Sequence, residues 1–361
     1  MLGLYVHVPF CRKKCGYCDF VSYEDKSRID DYLHALKKEA QQHKNLAGTF
    51  DTAYIGGGTP SLLSAEQLKM LFLALNPLLE NSPVSEYTIE ANPESVTEEK
   101  AEAIKSAGIN RISMGLQSHK PQLLKNIGRI TSTEKFLRAY SIFRNAGFEN
   151  INADLMTGLP GQTVQDFQDS MEFLTELNPE HISIYPLEIH SETPLGKKGI
   201  EENPDTAADM YALASEFLPK KGYEKYEISN FSKPGRESRH NMHYWLQEEY
   251  LGLGPAAASY INGERRTTVK GLETWIQAVS DGKNTPCDYK EALNGREKYA
   301  EKIILGLRLT KGIEIPYHIF IKFNKEFNSE IAKEFLEFSG CHIRIKPGME
   351  YMANRIFLEF L

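Results

Sequence analysis

Three cysteines crowd into the segment FCRKKCGYCDF, at positions 11, 15 and 18, with the spacing Cys-x3-Cys-x2-Cys. Thiolates on one tight loop suit a soft metal, and a four-iron cubane normally takes four of them. A set of three leaves one iron open, and open positions are how metal sites admit a reagent. The plainer alternative is zinc held as Cys3His, with His7 as the fourth ligand. Zinc knuckles, however, usually come in pairs, and no second knuckle follows. Three free thiols on a surface loop would be an oxidation liability. Cys287 and Cys341 stand alone and are expected to be buried rather than reactive.

Other residues with chemical potential recur at intervals. YIGGGTPSLL (54–63) carries a glycine triplet that lets backbone approach a ligand closely. It lacks the GK[ST] of a phosphate loop. IEANPES presents Glu90, whose carboxylate can accept from ribose hydroxyls or an ammonium. RISMGLQS ends on Gln117 and Arg129 follows; NADLMTGLPGQT contains Asp154. HNMHYW (240–245) sets a potential iron ligand beside flat aromatic surface. On spacing alone a packed aromatic corner explains that last segment as well, and His243 shares a helical face with His240 without a defined role.

The elements that must position these groups alternate. Strands are expected at 2–8, 51–57, 86–92, 110–117, 150–156 and 181–187, with helices near 27–46, 64–79, 97–107, 132–146, 163–177 and 205–221. Ser64 with Gln67 forms a capping-box pattern, and Glu98 and Glu99 suit a helix N-terminus. Six βα units in a row imply parallel pairing and favour a full or partial (β/α) barrel of the TIM-like kind. In such barrels the site lies at the C-terminal strand ends. Here those ends read Cys11–Cys18, GGGTP, EANP, GLQ, DLMTGLP and YPLEI. After INGERRTT the texture changes, so a barrel domain over 1–262 and a small C-terminal domain over 263–361 are expected.

Composition bounds the function. With 361 residues, 41% hydrophobic and 25% charged, the chain is an ordinary globular protein. A net charge of −7 argues against a nucleic-acid partner. No run approaches the ~20 apolar residues of a membrane helix, and the N-terminus lacks a secretory leader, so a cytoplasmic location is expected.

The cysteine loop, with Tyr17 just before its third cysteine, resembles that of the radical S-adenosylmethionine (SAM) superfamily. The wider set resembles its oxygen-independent coproporphyrinogen III oxidase family. That resemblance implies a [4Fe-4S] cluster on Cys11, Cys15 and Cys18, with SAM chelated at the open iron. It further implies SAM contacts from Tyr5, Tyr17, Gly57, Gly58, Thr59, Glu90, Gln117, Arg129 and Asp154. Three features match a heme-chaperone branch rather than the oxidases. Phe20 replaces the oxidases' fourth cysteine, their N-terminal extension is expected to be absent, and HNMHYW matches an HNxxYW motif. The implied activity is heme binding and transfer to a heme-accepting protein, membrane-bound acceptors included, with an electron donor for the cluster. His240, Asn241, Tyr244 and Trp245 are then expected to contact heme. The alternative is an oxidase-like enzyme that decarboxylates coproporphyrinogen III.

Overall fold

The computed structural model describes residues 1–361. Strands and helices alternate as β1 (Leu2–Val8), α1 (Ile29–Gln42), β2 (Phe50–Gly57), α2 (Ala65–Leu79), β3 (Glu86–Ala91), α3 (Glu98–Ser106) and β4 (Arg111–Gln117). They continue through α4 (Pro121–Asn126), α5 (Thr133–Asn145), β5 (Ile151–Thr157), α6 (Val164–Leu177) and β6 (His181–Pro186). The expected capping box forms: Ser64 accepts from the Gln67 amide while the Gln67 side chain accepts from the Ser64 amide. Thr163 and Asp166 build a second box on α6 that the sequence reading did not pick out.

Strands β1 to β6 pair in chain order and all in parallel. Helical crossovers between neighbouring parallel strands return on one side of the sheet, which curls it into a barrel wall. The period of two sorts each strand. In β1, Leu2, Leu4, Val6 and Val8 enter the main core, which α1, α2, α3, α5, α6 and α8 (Pro204–Lys220) cover. Gly3, Tyr5 and His7 face the interior instead. The sheet then extends at both ends without closing. After β6 come β8 (Asn230–Ser232) and β7 (Glu224–Glu227), and beyond β1 come β9 (Tyr250–Leu253), β10 (Ala258–Ile261), β11 (Glu264–Thr268) and β12 (Cys287–Ala292). The barrel is therefore a partial one.

The expected division at residue 262 falls inside a hairpin. Ile261 pairs with Glu264 across Asn262 and Gly263, which both adopt positive φ (54° and 75°). That is the two-residue turn Asn-Gly favours, so the polar segment is a turn within the sheet and not a linker. Trp275 on α10 (Leu272–Ser280) is wholly buried in the main core, 5.3 Å from the Tyr32 ring. The second core begins only at Ala300, on α11 (Gly295–Gly306), and gathers short helices around a three-stranded sheet of β13 (Ile313–Glu314), β15 (His342–Ile345) and β14 (Leu336–Ser339). The two cores touch where Ile228 donates to the Arg308 carbonyl (3.0 Å) and Thr310 to that of Tyr226 (3.1 Å). Cys287 is exposed on edge strand β12 and Cys341 is half-buried, so the expectation of two buried thiols fails, most plainly for Cys287.

Candidate cluster and cofactor site

The cysteine loop leaves the C-terminal end of β1 and is bolted down at several points. The Cys11 amide donates to the Tyr23 carbonyl (2.9 Å), the Tyr23 amide to that of Pro9 (2.8 Å), and the Gly16 amide to that of Ile127 (2.8 Å). Leu195, on the short helix α7 (Pro194–Lys197), donates to the Gly16 carbonyl (2.8 Å). His7 Nε2 donates to the Val21 carbonyl at 2.8 Å, and its Nδ1 accepts from the Tyr5 hydroxyl at 3.1 Å. With both nitrogens used, His7 is an anchor for the loop and not a fourth metal ligand. Tyr5, expected against SAM, stands behind the cavity wall, because its hydroxyl serves His7.

All three cysteines line one cavity of about 470 Å³ at the C-terminal strand ends, within the range of small-molecule sites. Among the described residues, no three His, Cys, Asp or Glu side chains converge as they would around a single ion. A cubane holds its irons apart, so its thiolates stand wider than that. The cavity also takes in Tyr17, Gly57, Gly58, Thr59, Glu90, Gln117, Arg129 and Asp154. Eight of the nine residues expected to contact SAM thus meet the cluster cysteines in one place.

Their local chemistry is specific. Arg129 places Nη1 3.7 Å from Cys15 Sγ, while Nη2 donates to the Gly115 carbonyl at 2.8 Å. Burial opposes its charge, but Tyr17, Cys15 and Glu94 around it hold the guanidinium protonated. A Cβ on Gly115 would lie 2.6 Å from that nitrogen, so a larger residue there would displace the guanidinium from its place. Thr59 Oγ1 accepts from Asn92 (3.0 Å) and lies 3.5 Å from Cys11 Sγ. Burial pushes the Cys11 thiol up, and the Cys18 thiol up to about 11 with help from its two neighbours. Metal coordination reverses that balance, since a coordinating thiol gives up its proton.

The glycine triplet works differently from the simple expectation. The amides are spent on the fold: Gly57 donates to Glu90 Oε2 (3.1 Å), Gly58 to the Val8 carbonyl (2.9 Å) and Thr59 to the Phe10 carbonyl (2.8 Å). What this turn can offer an ammonium group is therefore carbonyl oxygen. Glu90 is pushed up to about 7, mainly by burial and further by Asp154, while the Tyr54 hydroxyl at 2.8 Å works the other way. Burial raises the Asp154 carboxyl too, against Asn152, Ser183, Arg129 and Arg111. Gln117 adopts φ 69° after a bulge in β4, and its buried Oε1 has no hydrogen-bond partner. Bulges commonly re-aim side chains at sites, and an orphaned buried carbonyl calls for a ligand donor.

Several wall residues escaped the sequence reading: Tyr54, Asn92, Arg111, Ser113, Asn152, Ser183 and Tyr185. Most of them share a signal. Strands buried on both faces should read as apolar runs, yet β4, β5 and β6 carry polar groups at alternate positions.

The HNMHYW segment forms α9 (Arg239–Trp245), packed inside the sheet near the N-terminal strand ends. Its amides at Arg239 and His240 donate to Glu86 (3.0 Å each). His240 is 1% exposed; Nδ1 bonds Thr52 Oγ1 and Nε2 bonds the Tyr244 hydroxyl, both at 2.9 Å, and the ring stacks on Tyr54 at 5.3 Å. Burial, with His243 and Arg111 adding to it, lowers its pKa to about 3. His243 stands 3.0 Å from Asp51 and 2.8 Å from Glu248. Tyr244 meets Tyr250 edge-on at 4.7 Å, and Arg308 covers the Trp245 ring at 4.2 Å. Of the four residues expected to contact heme, only Asn241 lines the cavity.

A directed hydrogen-bond chain joins this helix to the site. The Ser238 amide donates to the Tyr226 hydroxyl (3.1 Å), which reaches His181 Nε2 (2.8 Å); His181 Nδ1 reaches Asn152 Oδ1 (2.6 Å), and Asn152 donates to Asp154 (2.7 Å).

Comparison with known proteins agrees with this geometry. The radical SAM superfamily profile matches residues 5–174. The heme chaperone HemW of Bacillus subtilis is 39% identical over 322 residues, covering 87% of this chain and 85% of that one. HemW of Lactococcus lactis is 35% identical, over 92% and 87% of the two chains. The radical SAM coproporphyrinogen III oxidase of Escherichia coli superposes with a TM-score of 0.85 at 23% identity, over 99% of this chain and 89% of that one, and so shares the fold. With relatives this similar over this much of its length, the chain belongs to the HemW family of the radical SAM superfamily.

Proposed function

We propose that this protein is a cytoplasmic heme chaperone that holds a [4Fe-4S] cluster and SAM in the cavity and passes heme to an acceptor hemoprotein. The observation that carries the reading is the meeting of three thiols, Arg129 and two half-buried carboxyl groups in one cavity, in a chain so similar to proteins named heme chaperones. Bound to Cys11, Cys15 and Cys18, the cluster would supply an open iron for the amino and carboxylate groups of SAM. Arg129 balances negative charge beside Cys15. Carbonyl oxygens of Gly57, Gly58 and Thr59 accept from the ammonium. Glu90 and Asp154 accept from ribose hydroxyls, and Gln117 gives its free carbonyl oxygen to a ligand donor. Tyr17 closes the wall beside the loop. Tyr5 acts through His7 by keeping the loop in place. The interior position of α9 assigns HNMHYW to the floor of the site, coupled to Asp154 through His181.

The test is one anaerobic preparation assayed three ways. Reconstituted protein should hold about four iron and four sulfide, and any single Cys→Ala change at 11, 15 or 18 should abolish the visible cluster absorption. Hemin should bind and transfer to an apo-hemoprotein. Coproporphyrinogen III should come back undecarboxylated; a vinyl product would replace the chaperone reading by the oxidase one. Zinc without iron or sulfide would sink both.

A further inference from the structure

We infer that the heme rests at the mouth of the cluster cavity, with His190 as an axial ligand of its iron and Phe20 against the porphyrin face. This rests on the chaperone reading above and names the residues that reading leaves open. Heme needs an accessible nitrogen or sulfur donor, a flat apolar contact and cations for two carboxylates. His240 on helix α9 offers no accessible donor, because both its ring nitrogens are bonded inside the sheet.

The cysteine loop offers all three. Phe20 lines the cavity yet is 60% exposed, unusual for a phenylalanine in an otherwise packed region. Asp19, its neighbour in the chain, stands with Oδ2 3.5 Å from Nε2 of His190, and both side chains are about half exposed. Nδ1 of His190 has no bonded partner among the described residues. A metal-ligating histidine typically gives its other nitrogen to a carboxylate, which orients the ring and raises its basicity. The pair Asp19–His190 is set up in that way before any iron arrives. Coordination here donates a nitrogen lone pair and transfers no electron.

The placement is firm. The His190 carbonyl accepts from the Thr193 amide (2.9 Å) and hydroxyl (2.7 Å), fixing the backbone so that the ring projects. The same turn is tied to the cysteine loop by Leu195 and Gly16. Arg12 and Lys13 are exposed on that loop, and neither has an acidic partner among the described residues. The acids nearby are engaged: Asp19 by His190, and Glu24 by the Lys14 amide at 2.9 Å. Two cations without acidic partners are thus available on this loop for two propionates.

The experiment is a hemin titration of the reconstituted full chain, followed by absorption and electron paramagnetic resonance. His190→Ala should weaken binding at least about tenfold and lose the histidine-ligated spectrum, with added imidazole restoring it. Circular dichroism should be unchanged, since the residue is exposed. Asp19→Asn should lower the iron–histidine stretching frequency of the ferrous complex. Equal affinity and an identical spectrum for His190→Ala would overturn the assignment while leaving the chaperone reading intact. Failure of the wild type to bind hemin at all would remove both.

Discussion

At the scale of the residue, Glu90 is the group whose behaviour is easiest to check. Its folded value of about 7 lies above the ordinary 4.5. The unfolded chain therefore loses this proton first, and the carboxyl costs stability progressively between those two values and by a constant amount above them. By 1.36 kcal/mol per unit the constant amount is roughly 3 kcal/mol. Glu90→Gln should consequently be the more stable protein at neutral pH, with the gap closing as pH falls toward the ordinary carboxylate range; thermal melts across pH would show it. Ligand binding runs the other way. A sulfonium, an ammonium and donating hydroxyls all favour the carboxylate. SAM affinity measured by calorimetry should thus rise with pH through about 7 in the wild type and rise less steeply in the variant. Asp154, raised by burial as well, adds to the slope in the same direction.

At the scale of the element, the glycine turn after β2 decides how closely two strand ends can approach. A Cβ on Gly58 would stand 2.6 Å from the Phe10 carbonyl oxygen and 2.9 Å from the Phe10 nitrogen, and neither backbone atom can yield. Gly58→Ala should cost about 1–3 kcal/mol, the range of overpacking, measured by urea denaturation. It should also lower cluster occupancy, because Phe10 leads directly into Cys11. The elements themselves were legible in the sequence. All six strands stand within a residue or so of where alternation placed them, since helix and strand periods differ sharply and glycines mark the ends. That the cysteines and eight of the nine residues expected at SAM line one cavity was legible because they sit at those ends. What stayed hidden depends on pairing. Asn152, His181 and Tyr226 form a chain only because β5 pairs with β6 and β7 follows on the far side of β8, which spacing along the sequence does not specify. The hairpin at residue 262 was hidden for a related reason: Asn262–Gly263 is a polar turn either way, and only strand pairing distinguishes a hairpin from a linker. The burial of His240 was hidden too, because α9 turns inward after a pair of antiparallel strands.

At the scale of the molecule, the second core is joined to the barrel through a buried carboxylate. Glu227 is fully buried, accepts from the Ser229 amide (3.0 Å) and the Asn230 side chain, and faces Arg308 at 3.3 Å. Arg308 also covers Trp245, so one guanidinium ties the C-terminal unit to both β7 and the HNMHYW helix. Removing one partner of a buried pair leaves an uncompensated charge, at about 3–5 kcal/mol. Arg308→Ala should lose stability on that order in chemical denaturation, and lose more at high pH than at low, since burial already raises the Glu227 carboxyl and protonation relieves the unpaired charge. Arg308→Lys should recover part of the charge balance but not the stacking on Trp245.

The close spacing of the three cysteines has a consequence for the order in which the protein matures. Closing a short loop around a metal costs little chain entropy, and these ligands occupy eight consecutive positions, 11 to 18. The wall of the cavity instead draws on strands from β2 to β6 and on Asn241, so it exists only once the long-range parallel pairing is complete, the slow part of folding such a sheet. The clamps from Ile127 and Leu195 onto Gly16 also arrive late in the chain. Iron can accordingly be captured by a nascent, incompletely folded chain, while the cofactor binds the finished barrel alone.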